Sequence, residues 1–321
     1  MTSTNGAASG RSIVVGVGPH GLAGGTVALV VDAAERLGAD IEVVHVLPTL
    51  AGWPAGTIES GIALEQLAVA GRRALARAVE QVRGAVGAGP VVSDVLVNGG
   101  VVDALVVRSR TAELVVLERH PHPRWQWAVG GETTAQVAAR AHAPVVVVPP
   151  DWTPSSGVLP ITVGCEDAER ADAELWTAFG LAAATDRPVR VVRATYLPEA
   201  YQEILRREVK ERDFLDAARA DLVRDAGSAA EVCEGVVCDF EARWGRPAEV
   251  LLDLSTTSSL LVIARRDPHV PFGSHLGPVV RQVLREAGCP VMVVEPTLRE
   301  PVDVAQPAYS GAPANSALLA D

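Results

Sequence analysis

Between two aliphatic segments, Leu260–Ile263 and Val291–Val294, the chain concentrates groups suited to holding an anion. Arg265, Arg266, His269 and His275 supply cationic or protonatable donors, Gly273-Ser274 a pliable bend with a hydroxyl, and Gly277 the approach to a helix. Guanidinium forks, clustered backbone N–H groups and helix N-termini are the groups that recognise phosphate or carboxylate. Two residues oppose that reading. Asp267 repels an anion, and Pro278 lacks an N–H at the helix start. Arginines solvated in an exposed loop are the plainer reading of the same stretch.

Other reactive residue types assemble into less. His120-Pro121-His122-Pro123 presents two imidazoles without convergent thiols or carboxylates, which is incomplete for zinc and reads as an exposed loop. Cys233 and Cys238 lack the CxxC spacing, and Cys238 reads as a small apolar packer. Cys165 ends an apolar run and is the cysteine to test for reactivity, although packing explains it better. Trp125 and Trp127 could fill a crevice or face a partner. No Ser-His-Asp or Cys-His arrangement can be built from local motifs, so a catalytic centre has no positive support.

The elements that must position these residues occur twice. Ser12-Ile13-Val14-Val15-Gly16-Val17 recurs as Pro160-Ile161-Thr162-Val163-Gly164-Cys165, an offset of 148. Leu114–Leu117 recurs as Leu260–Ile263, Gly131 as Gly277, and Ala143–Val146 as Cys289–Met292, all offset by 146. A repeat of domain size is a duplicated fold rather than a solenoid. In the first half the pattern predicts strands at Ile13–Val17, Ile41–Leu47, Val91–Val97, Leu114–Leu117 and Val145–Val148, separated by helices. In the second it predicts Ile161–Cys165, Val189–Ala194, Val236–Phe240, Leu260–Ile263 and Val291–Val294, with a charged helix over about Glu199–Arg224. Alternating strands and helices require right-handed crossovers and a parallel sheet covered on both faces. The expected fold is therefore α/β, with two tandem doubly wound domains of five parallel strands each.

The expected boundaries are a disordered N-terminus over 1–11, domain 1 over 12–149, a linker over 150–158, domain 2 over 159–296, and a disordered Pro-, Ala- and Ser-rich tail over 297–321. A net charge of −11 argues against nucleic acid and an anionic membrane surface as partners. No run is long enough to span a bilayer, the first residues lack a signal-peptide core, and four cysteines make no disulfide framework. These features predict a cytoplasmic protein.

The duplicated order, with a loop of about a dozen residues ending in Gly before a helix and a terminal Ala/Cys-Pro-Val strand, resembles a tandem universal stress protein. The resemblance implies the adenine nucleotide alpha hydrolase-like fold. It also implies an acid after strand one that contacts adenine, and a G-x2-G-x9-G-(S/T) loop after strand four that holds phosphates. In domain 1 the corresponding residues are Gly18, then Glu118, Pro121, Gly131 and Glu132, so the resemblance implies that nucleotide binding is lost there. Domain 2 keeps Glu166 and reads Ala264, Asp267, Gly277 and Pro278. The resemblance thus allows one cofactor, ATP, in domain 2 only, with Glu166, Ala264, Arg265, Arg266, His275 and Gly277 as candidate contacts and no metal. It implies pairing of Val145–Val148 with Val291–Val294 inside the chain, and leaves room for a homodimer or a protein partner. The expected function is a non-catalytic stress-response regulator or interaction module. The rivals are an ATP-binding protein, slowly hydrolysing or not, and a sensor of another small ligand.

Overall fold

The computed structural model describes residues 10–47, 58–120, 133–166, 172–196, 211–232, 235–265 and 276–295. The first half runs β1 (Ser12–Gly16), α1 (Gly24–Leu37), β2 (Asp40–Leu47), α2 (Ile58–Ala85), β3 (Val92–Asn98), α3 (Val101–Arg108), β4 (Leu114–Glu118), α4 (Thr133–Arg140) and β5 (Val145–Val148). The second half runs β6 (Ile161–Gly164), α5 (Asp172–Thr185), β7 (Val189–Thr195), α6 (Glu211–Val232), β8 (Cys238–Trp244), α7 (Pro247–Ser255), β9 (Leu260–Ala264), α8 (Pro278–Glu286) and β10 (Val291–Val294).

Among the described residues the ten strands join one sheet in the order β3-β2-β1-β4-β5-β10-β9-β6-β7-β8. Pairing is parallel within each half. The halves meet through one antiparallel pair, β5 with β10, in the register Val147–Val291, Val146–Met292 and Val145–Val293. The order is a palindrome about that seam, so a pseudo-two-fold axis passes beside Val146 and Met292. The strands nearest the seam are almost wholly apolar because helices cover both faces there. One large core cluster lies on the face of α1, α2, α5 and α6, a second on the face of α3, α4, α7 and α8, and each draws side chains from both halves; a small third cluster holds Val192, Val250 and Leu254.

One outer strand departs from the sequence expectation. The predicted strand at Val236–Phe240 is β8 at Cys238–Trp244, paired along its whole length with Val189–Thr195. The helix expected to end at Arg224 continues to Val232; residues 199–210, its expected start, lie outside the described residues. The expected N-terminal and C-terminal disordered segments lie almost wholly outside the described residues as well. Among the described residues no helix is long and apolar enough to cross a membrane.

Candidate functional site

In an open parallel sheet the ligand crevice lies beyond the carboxyl ends of the strands, where strand order reverses. That switch point falls between β1 and β4 in the first half and between β6 and β9 in the second. The two crevices are built from equivalent positions but filled differently.

The first crevice is furnished by its own chain. Glu118 closes β4, and its Oε2 accepts hydrogen bonds from Ala23 N at 2.7 Å and Thr26 Oγ1 at 2.9 Å. Ala23 is the N-cap of α1 and supplies no side-chain cap of its own. A carboxylate delivered from β4 therefore takes one backbone donor and one hydroxyl at the positive end of the helix, where an anionic ligand would otherwise bind. His120 lies against Gly18, at the position where the family resemblance requires an acid. A Cβ on residue 18 would collide with Nε2 of that imidazole, so a larger residue fits only if the His120 side chain moves aside.

The β1–α1 loop is also held down. Leu22 exchanges both backbone groups with Gln81 of α2, its N–H to Oε1 at 3.4 Å and its carbonyl from Nε2 at 3.1 Å. Arg77 Nη2 donates to Pro19 O at 3.3 Å, and Gly21, with φ 87°, lets the loop turn back on Gly18. His45 is buried, with Nδ1 2.8 Å from Val17 O; because the carbonyl can only accept, Nδ1 carries the proton. Trp152, from the chain that leaves β5, lies against the start of α1 so closely that a Cβ on Gly25 would strike its carbonyl group.

The second crevice has other occupants at each equivalent point. Ala264 stands where Glu118 stands, and Glu174, buried, stands where Thr26 stands. The carboxylate has changed sides of the crevice, from strand to helix. Glu166, the counterpart of Gly18, is exposed beyond β6. Gly277 is the N-cap of α8, with φ −67° and no side-chain cap bond, and Pro278 follows at the first helical position. Cys165 is buried. Ala173 replaces Gly25, so its Cβ denies this half the close backbone approach that Trp152 makes in the other.

Arg265, a candidate phosphate ligand by sequence, is directed elsewhere. Its Nη1 donates to Ala139 O at 3.0 Å and Ala141 O at 2.9 Å in the first half, and its Nη2 pairs with Glu295 Oε1 at 2.6 Å. The side chain is 11% exposed, which removes it from the mouth of the crevice. Glu166 thus follows β6, Ala264 ends β9 and Gly277 caps α8, whereas Arg265 turns into the seam between halves. Arg266 and His275 lie outside the described residues, as do Pro121, His122, Trp125, Trp127, Gly131, Glu132, Cys233, Asp267, His269, Gly273 and Ser274.

Among the described residues no group of three or more His, Cys, Asp and Glu could hold a metal ion. Burial pushes the Cys289 thiol up to about 12, and burial, then the charge of Asp239, pushes Cys238 up to about 12. Neither sulfur is a ready nucleophile at neutral pH.

Sequence reasoning missed Glu118 as a cap and Trp152 as a docked residue. The first was legible in the exchange of Glu118 and Thr26 for Ala264 and Glu174 between repeats. The second left only a Gly where the other repeat has Ala.

Comparison with known proteins is consistent with this geometry. The profile of the universal stress protein family matches residues 10–149 and again 158–295. The chain is 27% identical over 234 residues to universal stress protein Rv1996 of Mycobacterium tuberculosis, covering 66% of this chain and 67% of that protein. A universal stress protein Mb2019 of Mycobacterium bovis matches to the same extent. Among solved structures, a universal stress protein from Archaeoglobus fulgidus superimposes with a TM-score of 0.65 at 13% identity, over 89% of this chain and 96% of that one. A protein of unknown function from Pseudomonas aeruginosa superimposes with a TM-score of 0.53 at 15% identity, over 92% and 94%. These two likenesses establish the shared fold.

Proposed function

Because the chain belongs to the universal stress protein family, as a member with two tandem domains, we propose that it acts as a non-catalytic stress-response regulator or interaction module whose domain 1 no longer takes nucleotide. The carrying observation is Glu118. Its carboxylate occupies the donors at the start of α1 through Ala23 N and Thr26 Oγ1. A triphosphate brought to that crevice would meet a fixed negative charge in place of a free backbone N–H and a free hydroxyl. His120 against Gly18 and Trp152 against Gly25 remove further room.

A second reading is favoured by one asymmetry. Domain 2 lacks the carboxylate at 264 and carries an exposed Glu166 beyond β6, so ATP or another small ligand has a route there. Glu166, Ala264 and Gly277, with Arg266 and His275, are its candidate contacts; Arg265 belongs to the domain seam in this proposal.

Calorimetric titration of the full chain with ATP discriminates the readings. The expected outcome is at most one weak site per chain, lost in Glu166→Ala. Two tight sites, or one site that survives Glu166→Ala but vanishes on altering domain 1, would overturn the assignment of the closed half.

A further inference from the structure

The interdomain seam holds a symmetric device that no ligand reading requires. Arg119 follows β4 as Arg265 follows β9, and the two are 146 residues apart. Arg119 Nη1 donates to Ala287 O at 2.9 Å; Arg265 Nη1 donates to Ala141 O at 2.9 Å and to Ala139 O at 3.0 Å. Ala141 and Ala287 are also 146 apart. Each arginine thus crosses from its own domain to the end of the last helix in the other, α4 or α8.

We propose that Arg119 and Arg265 form a reciprocal clamp that reserves the edges of β5 and β10 for pairing within one chain, and that its loss lets those edges pair with a second copy.

The acceptors are suited to the task. The last carbonyls of a helix have no intrahelical partner and carry the negative end of its dipole, so a guanidinium satisfies both needs. Ala141 and Ala287 are 2% and 0% exposed, which denies water the same role. Each acceptor is pinned within its own domain. Ser109 Oγ accepts from His142 N at 2.9 Å, and Ser255 Oγ accepts from Gly288 N at 2.9 Å, at equivalent positions once more. The donors are pinned as well, since Arg119 N bonds Val148 O at 2.8 Å and Arg265 N bonds Val294 O at 2.9 Å. The clamp therefore joins the end of each terminal strand to the helix beside the other.

The ladder it guards is short, from Val145–Val293 to Val147–Val291. Unpaired strand edges of continuous valine are templates for pairing. The established seam defines what fits them: an antiparallel strand of the same sequence, which a second copy supplies through an isologous contact.

The test uses the full chain. Wild type, Arg119→Ala, Arg265→Lys and Arg119→Ala/Arg265→Ala are compared by hydrogen exchange at Val145–Val148 and Val291–Val294. Capture of an untagged copy by a tagged copy is measured over a concentration series. In the double variant, exchange in both strands should rise by at least about tenfold, the equivalent of a buried carbonyl losing its donor, with capture that grows with concentration. Arg119→Ala, which loses the bond to Ala287 O but keeps the Arg265 arm, should show a smaller rise and remains readable should the double variant not fold. Arg265→Lys keeps the charge beside Glu295 but cannot fork across two carbonyls, so it should also exchange faster than wild type. Wild-type protection in Arg119→Ala and Arg265→Lys would overturn the clamp, and faster exchange without capture would overturn the second-copy pairing.

Discussion

Gly25 illustrates how one residue decides what a crevice becomes. It lies in the first turn of α1, where glycine is a poor helix former, and its reason lies elsewhere in the chain. The Trp152 carbonyl occupies the space of a Cβ, and backbone cannot swing aside as a side-chain tip can. Gly25→Ala should therefore destabilise the protein by about 1–3 kcal/mol, the usual range for overpacking, despite the better helix propensity of alanine. Ala173→Gly, at the equivalent position of domain 2, should cost about 1–2 kcal/mol, from propensity together with the loss of a buried methyl. Urea denaturation of both variants checks the pair; a stabilised Gly25→Ala would show that Trp152 is not seated. At this scale the sequence was only partly legible. Glu118 was recognisable as an acid hostile to phosphate, but its bonds to Ala23 and Thr26 span more than ninety residues of chain and appear only when the sheet closes. Arg265 was recognisable as a cation in the right loop. The direction in which a guanidinium points depends on which helix end is nearby, and that helix end belongs to the other domain.

Elements were legible in proportion to their burial. The inner strands are aliphatic without interruption because both faces are covered, and their positions match the expected ones closely. β8 was misjudged because it is an edge strand. Its run Cys238-Asp239-Phe240-Glu241-Ala242-Arg243-Trp244 alternates polar with apolar, and a search for aliphatic blocks stops at Phe240. The polar members serve the edge: Arg190 Nε pairs with Glu241 Oε1 at 3.1 Å, and Arg243 Nε with Glu241 Oε2 at 2.7 Å, which discourages pairing with a stray strand. Helix ends show the same contrast between repeats. α1 ends at Gly38 with φ 58°, and α5 is followed by Asp186 with φ 51° at the equivalent position. Both turns close alike, by Ala39 N to Ala34 O at 3.0 Å and Arg187 N to Ala182 O at 3.1 Å. The left-handed conformation suits glycine and strains a residue with a Cβ. Asp186→Gly should raise stability by about 0.5–1 kcal/mol, and Gly38→Ala should lower it by about 1 kcal/mol, both read from denaturation midpoints.

At the scale of the molecule, duplication has produced one sheet rather than two tethered domains. Ten strands of the described residues are hydrogen-bonded side by side across the seam, and the two large core clusters mix side chains from the two halves. Arg36 adds a further crossing, its Nη1 donating to Ala184 O at 2.7 Å from α1 to the end of α5. A linker between independent domains would leave each with its own stability, whereas a shared core and a continuous ladder couple them. The full chain should therefore unfold in urea as one transition, with far-UV and tryptophan signals coincident. Val146 is the residue on which that coupling turns, since it is 1% exposed and pairs with Met292 beside the pseudo-two-fold axis. Val146→Asp would bury a charge with no partner in the seam, at a cost of several kcal/mol, while leaving the strands farther out in each half intact. The expected result is separation into two transitions, the first carrying the loss. Two resolved transitions in the wild-type chain would mean that the halves fold apart, and that the antiparallel seam contributes contact without cooperativity.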